Sequence, residues 1–159
     1  MPAPRPTDGM TLDQILERST WLPRPVDETF AFFADAANLE RITPPELRFR
    51  IVTPQPIDMR RGTLIEYRLA LFALPFGWHT RIDAWSPPRR FVDLQLAGPY
   101  QRWVHTHEFE PQRGGTRMRD TVEYRLPLGW LGLAALPLVR RQLTRIFDYR
   151  EAAIQRLLG

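Results

Sequence analysis

The feature that most constrains the fold of this chain is a long C-terminal helix pattern that follows a series of strand patterns. From about Leu131 to Leu158, apolar side chains recur at helical spacing and form a single stripe. The stripe comprises Leu136, Val139, Leu143, Ile146, Phe147, Ile154 and Leu157. A helix with one apolar face must bury that face, and the large apolar partner available here is the inner face of a sheet. We therefore expect an α+β domain in which a curved antiparallel sheet wraps around this helix.

The middle of the chain has an apolar period of two, which is typical of strands. The candidate strands are Phe49–Thr53, Thr63–Phe72, Gly77–Trp85, Arg90–Ala97, Arg102–Glu110 and Thr116–Leu126. Short turns rich in glycine and proline separate them, including Leu74-Pro75 and Gly114-Gly115. Such short connections predict antiparallel hairpins, and an earlier strand at Leu12–Leu22 brings the sheet to about seven strands.

Two short helices are predicted between the first strand and the rest of the sheet. Val26, Phe30 and Phe33 lie at helical spacing, which predicts a helix ending near Asp35, and a second piece spans Asn38–Ile42. Residues 1–11 contain three prolines and no apolar period, so they are predicted to form a flexible leader. Residues 12–159 are then one domain.

Composition excludes several classes of function. The chain has no cysteine, so disulfides, zinc–thiolate sites and thiol nucleophiles are excluded. It also has neither a G-x-S-x-G nucleophile elbow nor a glycine-rich phosphate loop. No apolar stretch reaches the roughly 18–20 residues of a membrane-spanning helix, and no secretory signal is visible. We expect a cytoplasmic protein without stable membrane insertion.

The charge of the chain is basic, with a net value of +4, and all 22 basic residues are arginine. This balance permits binding to nucleic acid or to an anionic membrane surface. The arginines are scattered along the chain and accompany no nucleic-acid-binding motif, so nucleic acid is not an expected partner. A solvated, arginine-rich surface is the favoured interpretation.

Two passages resemble a known superfamily. Residues 17–45 read ERSTWLPRPVDETFAFFADAANLERITPP, and residues 81–129 read RIDAWSPPRRFVDLQLAGPYQRWVHTHEFEPQRGGTRMRDTVEYRLPLG. Both passages, and the order of elements over residues 12–158, resemble the START-like (SRPBCC) superfamily. Its helix-grip fold is shared by Bet v 1-type allergens, and the sequences of the two passages are similar to those of the bacterial polyketide cyclase/dehydrase-like branch. The resemblance implies a cavity between sheet and C-terminal helix that holds a hydrophobic or amphipathic small molecule or lipid.

A polar group is predicted on the inner face of the sheet. Trp103, His105, His107 and Phe109 share one face of their strand, and alternation in the next strand turns Asp120 inward. Because a buried carboxylate needs a partner, a histidine is expected beside Asp120. Such a pair could orient a polar ligand end or transfer a proton, or it could simply satisfy itself and fix strand register. No residue is assigned as catalytic; if the chain is an enzyme, the candidates are His105, His107 and Asp120.

A metal site is the less favoured interpretation of the same residues. His105 and His107 project to one side of a strand, and Asp120 could be a third ligand. No glutamate lies where a cupin would place its ligand, because Glu108 faces away and Glu110 comes too early in the sequence. We expect no metal and no cofactor. The residues expected to contact a ligand are Tyr67, Trp78, Gln95, Trp103, His105, His107, Phe109, Asp120, Tyr124, Leu143 and Phe147. The inward face of the strand Arg90–Ala97 stays open.

The apolar stretch Trp130–Val139 has two interpretations. The favoured one is core that closes the mouth of the cavity. The alternative is a lip that dips into a bilayer during lipid exchange, helped by the adjacent Arg140 and Arg141.

Three functions remain open from the sequence. The leading hypothesis is a carrier or sensor that binds its ligand without changing it. The alternatives are a cyclase/dehydrase-like enzyme that uses the inner histidine and aspartate group, and a protein-interaction module. The sequence leaves the ligand and the oligomeric state open.

Overall fold

The computed structural model describes residues 12–159, and the predicted leader lies outside them. The elements follow in the order β1 (Gln14–Leu22), α1 (Val26–Ala34), α2 (Asn38–Arg41), β2 (Arg50–Ile51), β3 (Leu64–Leu71), β4 (Leu74–Ser86), β5 (Arg90–Ala97), β6 (Arg102–Gln112), β7 (Gly115–Arg125) and α3 (Leu136–Leu158). Short 3-10 helices at Pro45–Leu47 and Gly132–Ala135 precede β2 and α3. The predicted α+β, helix-grip order of elements is confirmed.

Within residues 12–159, the strands form one antiparallel sheet in the order β1-β7-β6-β5-β4-β3-β2. All neighbours in this order are consecutive in the chain except β1 and β7, which pair from Gln14 opposite Tyr124 to Leu22 opposite Thr116. The β4–β5 ladder shifts register twice, between His79 and Thr80 and between Ile82 and Ala84. Irregularities of this kind bend a sheet and increase its twist.

The core of residues 12–159 has three clusters of buried residues, one on β3 and β4 (Ile65, Tyr67 and Ile82) and one near each end of α3. At one end, α1 places Phe30 against Phe91 and Phe109, with Ile154 of α3 in the same cluster. At the other end, Leu143 and Phe147 of α3 pack in a second cluster, which contains Tyr100, Trp103, Val122, Tyr124 and Leu126 from the sheet and its loops. The apolar stripe of α3 therefore faces the sheet, as its spacing predicts.

The hairpin between β3 and β4 turns earlier than predicted. The turn lies at Phe72 and Ala73, where both residues have positive φ (51° and 63°), and not at Leu74-Pro75. Two consecutive residues of positive φ make a two-residue hairpin loop possible, so β4 begins at Leu74. Helix α3 begins at Leu136 rather than near Leu131, with Pro137 in its first turn, where a missing N–H costs no helical hydrogen bond.

The segment Trp130–Val139 is for the most part not core, which overturns the favoured sequence interpretation. Trp130, Leu131 and Leu138 are 59%, 79% and 55% exposed, and only Leu136 and Val139 pack against the second cluster. Trp130 and Leu131 precede α3, and Leu138 lies in α3 outside the apolar stripe that faces the sheet. Among residues 12–159, no helix has the length and apolar character to cross a membrane.

Candidate functional site

An internal cavity of about 170 Å³ lies between the sheet, α3 and residues 32–49. Aromatic side chains dominate its lining: Phe32, Phe33, Phe49, Tyr67, Trp78, Phe91, Tyr100, Trp103 and Phe147. An engineered apolar cavity of about 150 Å³ accepts benzene, whereas pockets for drug-sized molecules span roughly 300–1,000 Å³. The cavity therefore matches a compact, ring-sized molecule and is smaller than the volume of a typical lipid site.

Four ionisable residues form a polar wall on neighbouring strands. Asp93 on β5 lies opposite His105 on β6, and His107 on β6 lies opposite Asp120 on β7. Because residues two apart on a strand share a face, this register puts all four side chains on one side of the sheet. Asp93, His105 and His107 line the cavity, while Asp120 lies behind the two histidines.

The polar wall is a continuous hydrogen-bonded and charged network. Nε2 of His105 lies 2.8 Å from Oδ1 of Asp120, and Nε2 of His107 lies 2.8 Å from Oδ2 of Asp93. Nδ1 of His107 is 3.0 Å from Oδ1 of Asp120 without hydrogen-bond geometry, so this contact is ionic only. The ring of Phe91 stacks on the ring of His107, with centroids 4.1 Å apart.

Both carboxyl groups are ionised in this network. Burial raises the pKa of Asp120, but the hydrogen bond from His105 and the close contact with His107 outweigh it and hold that pKa well below its ordinary value. Burial also raises the pKa of Asp93, and the nearby histidines outweigh it in the same way. For His107, burial lowers the pKa, but its two carboxylate neighbours raise the pKa by more than burial lowers it, so the net shift is upward. His107 is therefore the cation of the wall.

His105 is the neutral imidazole of the wall. Burial lowers its pKa, the charge on His107 adds to that effect, and together they exceed the opposing influence of Asp120 and Asp93. Since Asp120 is an anion, Nε2 of His105 must carry the proton and donate to Oδ1. Nδ1 then carries a lone pair, and no donor reaches it from residues 12–159. The cavity thus has an unused hydrogen-bond acceptor on its wall.

Arg150 supplies the remaining positive charge. It lines the cavity from α3, and its charge contributes to the low pKa values of Asp93 and Asp120. The carboxylates of Asp93 and Asp120 are then balanced by His107 and Arg150, so these four groups together have no net charge; the exposed Asp35 also lines the cavity. The Nε of Arg150 is buried and has no hydrogen-bond partner in the described part of the chain. Both Arg150 and His105 line the cavity, so the lining contains a donor and an acceptor that have no hydrogen-bond partner in the described residues.

Tyr67 adds a second donor, which is neutral. Burial raises the pKa of its phenol, and the neighbouring charge of Asp93 raises it further, so the hydroxyl stays protonated. The ring lies on β3, opposite Trp78 on β4, and both line the cavity.

The residues with metal-ligand chemistry are Asp93, His105 and His107, which bring one ligand atom each within 4.8 Å of one another. The third candidate ligand in the structure is therefore Asp93, whereas the sequence interpretation offered Asp120. A metal would have to replace the 2.8 Å hydrogen bonds of both histidines and compete with the proton of His107. The donor set is therefore better matched to self-pairing than to an ion.

Seven of the residues expected to contact a ligand line the cavity: Tyr67, Trp78, Trp103, His105, His107, Leu143 and Phe147. The other four do not. Gln95 is held by the backbone of Tyr100, through hydrogen bonds of 2.7 and 3.3 Å to its side-chain amide. Phe109 and Tyr124 are packed in the core clusters near the two ends of α3, and Asp120 is screened by the histidines it binds.

Sequence reasoning missed two charged residues of the site. Asp93 shares one face of the strand Arg90–Ala97 with Gln95, and alternation alone does not decide which face of that strand points inward. Arg150 follows Leu143 and Phe147 and precedes Ile154 at intervals of four, three and four residues. A charged residue on an apolar helical stripe is the signal that could have identified it.

The helix-grip fold places the chain among the START-like (SRPBCC) proteins. More closely, the chain belongs to the family described as polyketide cyclase/dehydrase and lipid transport, which it matches over residues 22–148. No curated protein sequence matches the chain.

Solved structures with the same fold come from bacteria and plants. Protein CV1439 from Chromobacterium violaceum is 16% identical, with a TM-score of 0.70 over 91% of this chain and 97% of that one. TTHA0849 from Thermus thermophilus is 18% identical, with a TM-score of 0.67 over 90% and 95% of the two chains. The major latex-like protein 151 of Panax ginseng is 10% identical, with a TM-score of 0.64 over 93% and 99%. At these identities the likeness concerns the fold alone.

Proposed function

We propose that this protein binds a compact hydrophobic molecule with an uncharged polar end in the cavity between sheet and α3, as a carrier or sensor. The observation behind the proposal is an aromatic cavity of about 170 Å³ with one polar wall. Membership of a family described by polyketide chemistry and lipid transport supports the same class of ligand.

The charge balance of the wall favours a neutral polar group on the ligand. Asp93 and Asp120 are already balanced by His107 and Arg150, so a charged ligand would bring an uncompensated charge into a buried site. A hydroxyl fits better, because it can donate to Nδ1 of His105 and accept from Arg150 or Tyr67. A phenol or an alcohol attached to a ring is the simplest molecule with these properties.

A matched pair of probes tests this proposal. Calorimetric titration is expected to show that 2-naphthol binds and that naphthalene, which lacks the hydroxyl, binds roughly 2- to 10-fold more weakly, as one hydrogen bond allows. His105→Leu should make the affinities for 2-naphthol and naphthalene equal. The control His79→Leu, at a side chain 53% exposed on β4, should leave the difference between them unchanged. Native mass spectrometry of protein from its own host should show a retained small molecule.

Filling the cavity supplies a second arm of the test. Leu69→Trp puts a large side chain into the lining, and Leu64→Trp puts the same side chain at an exposed position of the same strand. The first variant should lose 2-naphthol and the second should keep it. Binding that survives Leu69→Trp, or no binding of either probe to the native protein, would contradict the proposal.

A second function is supported by the neutral state of His105. An imidazole with a free lone pair can accept a proton from carbon beside a ketone, while Arg150 or Tyr67 donates to the carbonyl oxygen. The test is exchange of the α-hydrogens of 1-tetralone in D₂O, followed by mass spectrometry. Exchange above the rate with His105→Gln would support proton transfer, and equal rates would leave binding without catalysis.

A further inference from the structure

Two exposed apolar side chains lie beside the cavity, one on the β3–β4 turn and one in the first turn of α3. Phe72 and Leu138 are 50% and 55% exposed, and we call them the mouth patch. They line one depression together with Leu47 and Ile146, and these last two residues also line the internal cavity. The mouth patch therefore adjoins the cavity and is not an isolated surface feature.

The aromatic ring of the mouth patch is held at a backbone position that disfavours it. Phe72 and Ala73 both have positive φ, the conformation for which asparagine and glycine are preferred in two-residue hairpins. Left-handed backbone is unfavourable for an ordinary L-residue, because Cβ comes too close to the following carbonyl oxygen. Strain of this kind tends to occur at functional positions, and here it presents a phenylalanine to solvent.

Positive charge surrounds the same depression. Its lining contains Arg48, Arg141 and Arg145, and its single acidic residue, Glu46, is ion-paired with Arg145. The depression thus keeps an excess of two positive charges beside exposed apolar side chains. Apolar side chains that enter the acyl boundary, with arginines at headgroup level, are the pattern of proteins that bind anionic bilayers reversibly.

We propose that the mouth patch docks the protein on the surface of an anionic lipid bilayer, so that a poorly water-soluble ligand exchanges directly between bilayer and cavity. This inference rests on the proposed ligand-binding function. A bilayer is favoured over a second copy of the chain because two such patches would bring their arginines together, whereas anionic headgroups neutralise them.

Vesicle flotation tests the docking. The native protein should float with vesicles of 30% phosphatidylglycerol in phosphatidylcholine and remain unbound with phosphatidylcholine alone. Phe72→Ser/Leu138→Ser should lower the partition coefficient at least tenfold. Arg141→Glu should lower it several-fold at low salt and have little further effect in 0.5 M NaCl, where surface charge is screened.

Matched controls use the same substitutions elsewhere. Leu64→Ser/Leu96→Ser removes two exposed leucines that line a different depression of the sheet, and Arg60→Glu reverses an arginine 75% exposed. Both controls should float like the native protein. Equal losses in controls and mouth-patch variants would overturn the proposal, as would failure of the native protein to bind anionic vesicles.

Two further measurements separate the possible failures. Mouth-patch variants should retain 2-naphthol binding, because neither residue 72 nor residue 138 lines the cavity. Retained 2-naphthol binding without flotation of the native protein overturns only the docking. A native dimer that Phe72→Ser/Leu138→Ser converts to a monomer in analytical ultracentrifugation would assign the patch to a second copy and overturn docking on a bilayer.

Discussion

At the scale of single residues, the polar wall gives different charges to two histidines that lie two positions apart on one strand. His107 faces two carboxylates, at 2.8 and 3.0 Å, and becomes the cation. His105 has one hydrogen-bonded carboxylate and a charged histidine with its ring centroid 3.8 Å away, so it stays neutral. Two histidines on the same face of one strand thus have different roles: His107 supplies a positive charge, and His105 supplies a free hydrogen-bond acceptor.

This difference predicts opposite titration shifts. In long-range ¹⁵N–¹H correlation spectra, His107 should titrate above the ordinary histidine pKa of about 6.5, and His105 should titrate below it. In the neutral range, His105 should show the tautomer protonated at Nε2. Asp93→Asn should lower the pKa of His107 by removing one of its two carboxylates. Coincident titration of both rings near 6.5 would contradict the charge assignment.

At the scale of elements, the β3–β4 hairpin combines a strained turn with an exposed aromatic tip. The turn requires positive φ at both loop residues, and neither phenylalanine nor alanine favours it. The ladder continues to the last pair before the loop, Leu71 opposite Leu74, so strand pairing maintains the strain.

Relieving the turn should stabilise the protein and weaken its docking. Phe72→Asn/Ala73→Gly supplies the preferred residues, and we expect the free energy of unfolding in urea to rise by about 1–2 kcal/mol. Vesicle binding should fall in the same variant. The control Phe72→Ser lacks the glycine and should weaken docking without an equal gain in stability. An unchanged or lowered free energy of unfolding in the double variant would show that the turn stores no strain.

At the scale of the whole molecule, the buried acids couple stability to pH. Asp93 and Asp120 have lowered pKa values in the folded state, so they bind protons more readily when unfolded. Their contribution is fully present above the unfolded aspartate pKa of about 3.9, and it is lost as the pH falls through the lower folded values. The histidines shift in opposite directions and partly offset each other at higher pH.

Acid denaturation measures this contribution. The free energy of unfolding of the native protein should decrease steeply below about pH 4. Asp120→Asn should lower it at pH 7 by about 3–5 kcal/mol, because it leaves His107 and Arg150 with the single carboxylate of Asp93 to balance them, and should flatten the acid limb. Asp83→Asn removes an exposed carboxylate paired with Arg81 and should cost less than about 0.5 kcal/mol. Similar acid limbs in native protein and Asp120→Asn would contradict the role of this carboxylate.

The sequence by itself determined the order of elements and the faces of individual strands. Alternation put His105, His107 and Asp120 on one side of the sheet, and helical spacing put Leu143 and Phe147 on the buried face of α3. These features could be predicted because side-chain direction within one strand or helix follows from local geometry.

Only the tertiary structure decided which charged residues meet and which apolar residues stay outside. The inward position of Asp93 depends on its register opposite His105, and the place of Arg150 depends on how α3 lies across the sheet. The exposure of Trp130 depends on where α3 begins, and that of Leu138 on which face of α3 contacts the sheet. Register, helix placement and the packing around a cavity are set by contacts between elements distant in sequence, which periodicity along the chain does not encode.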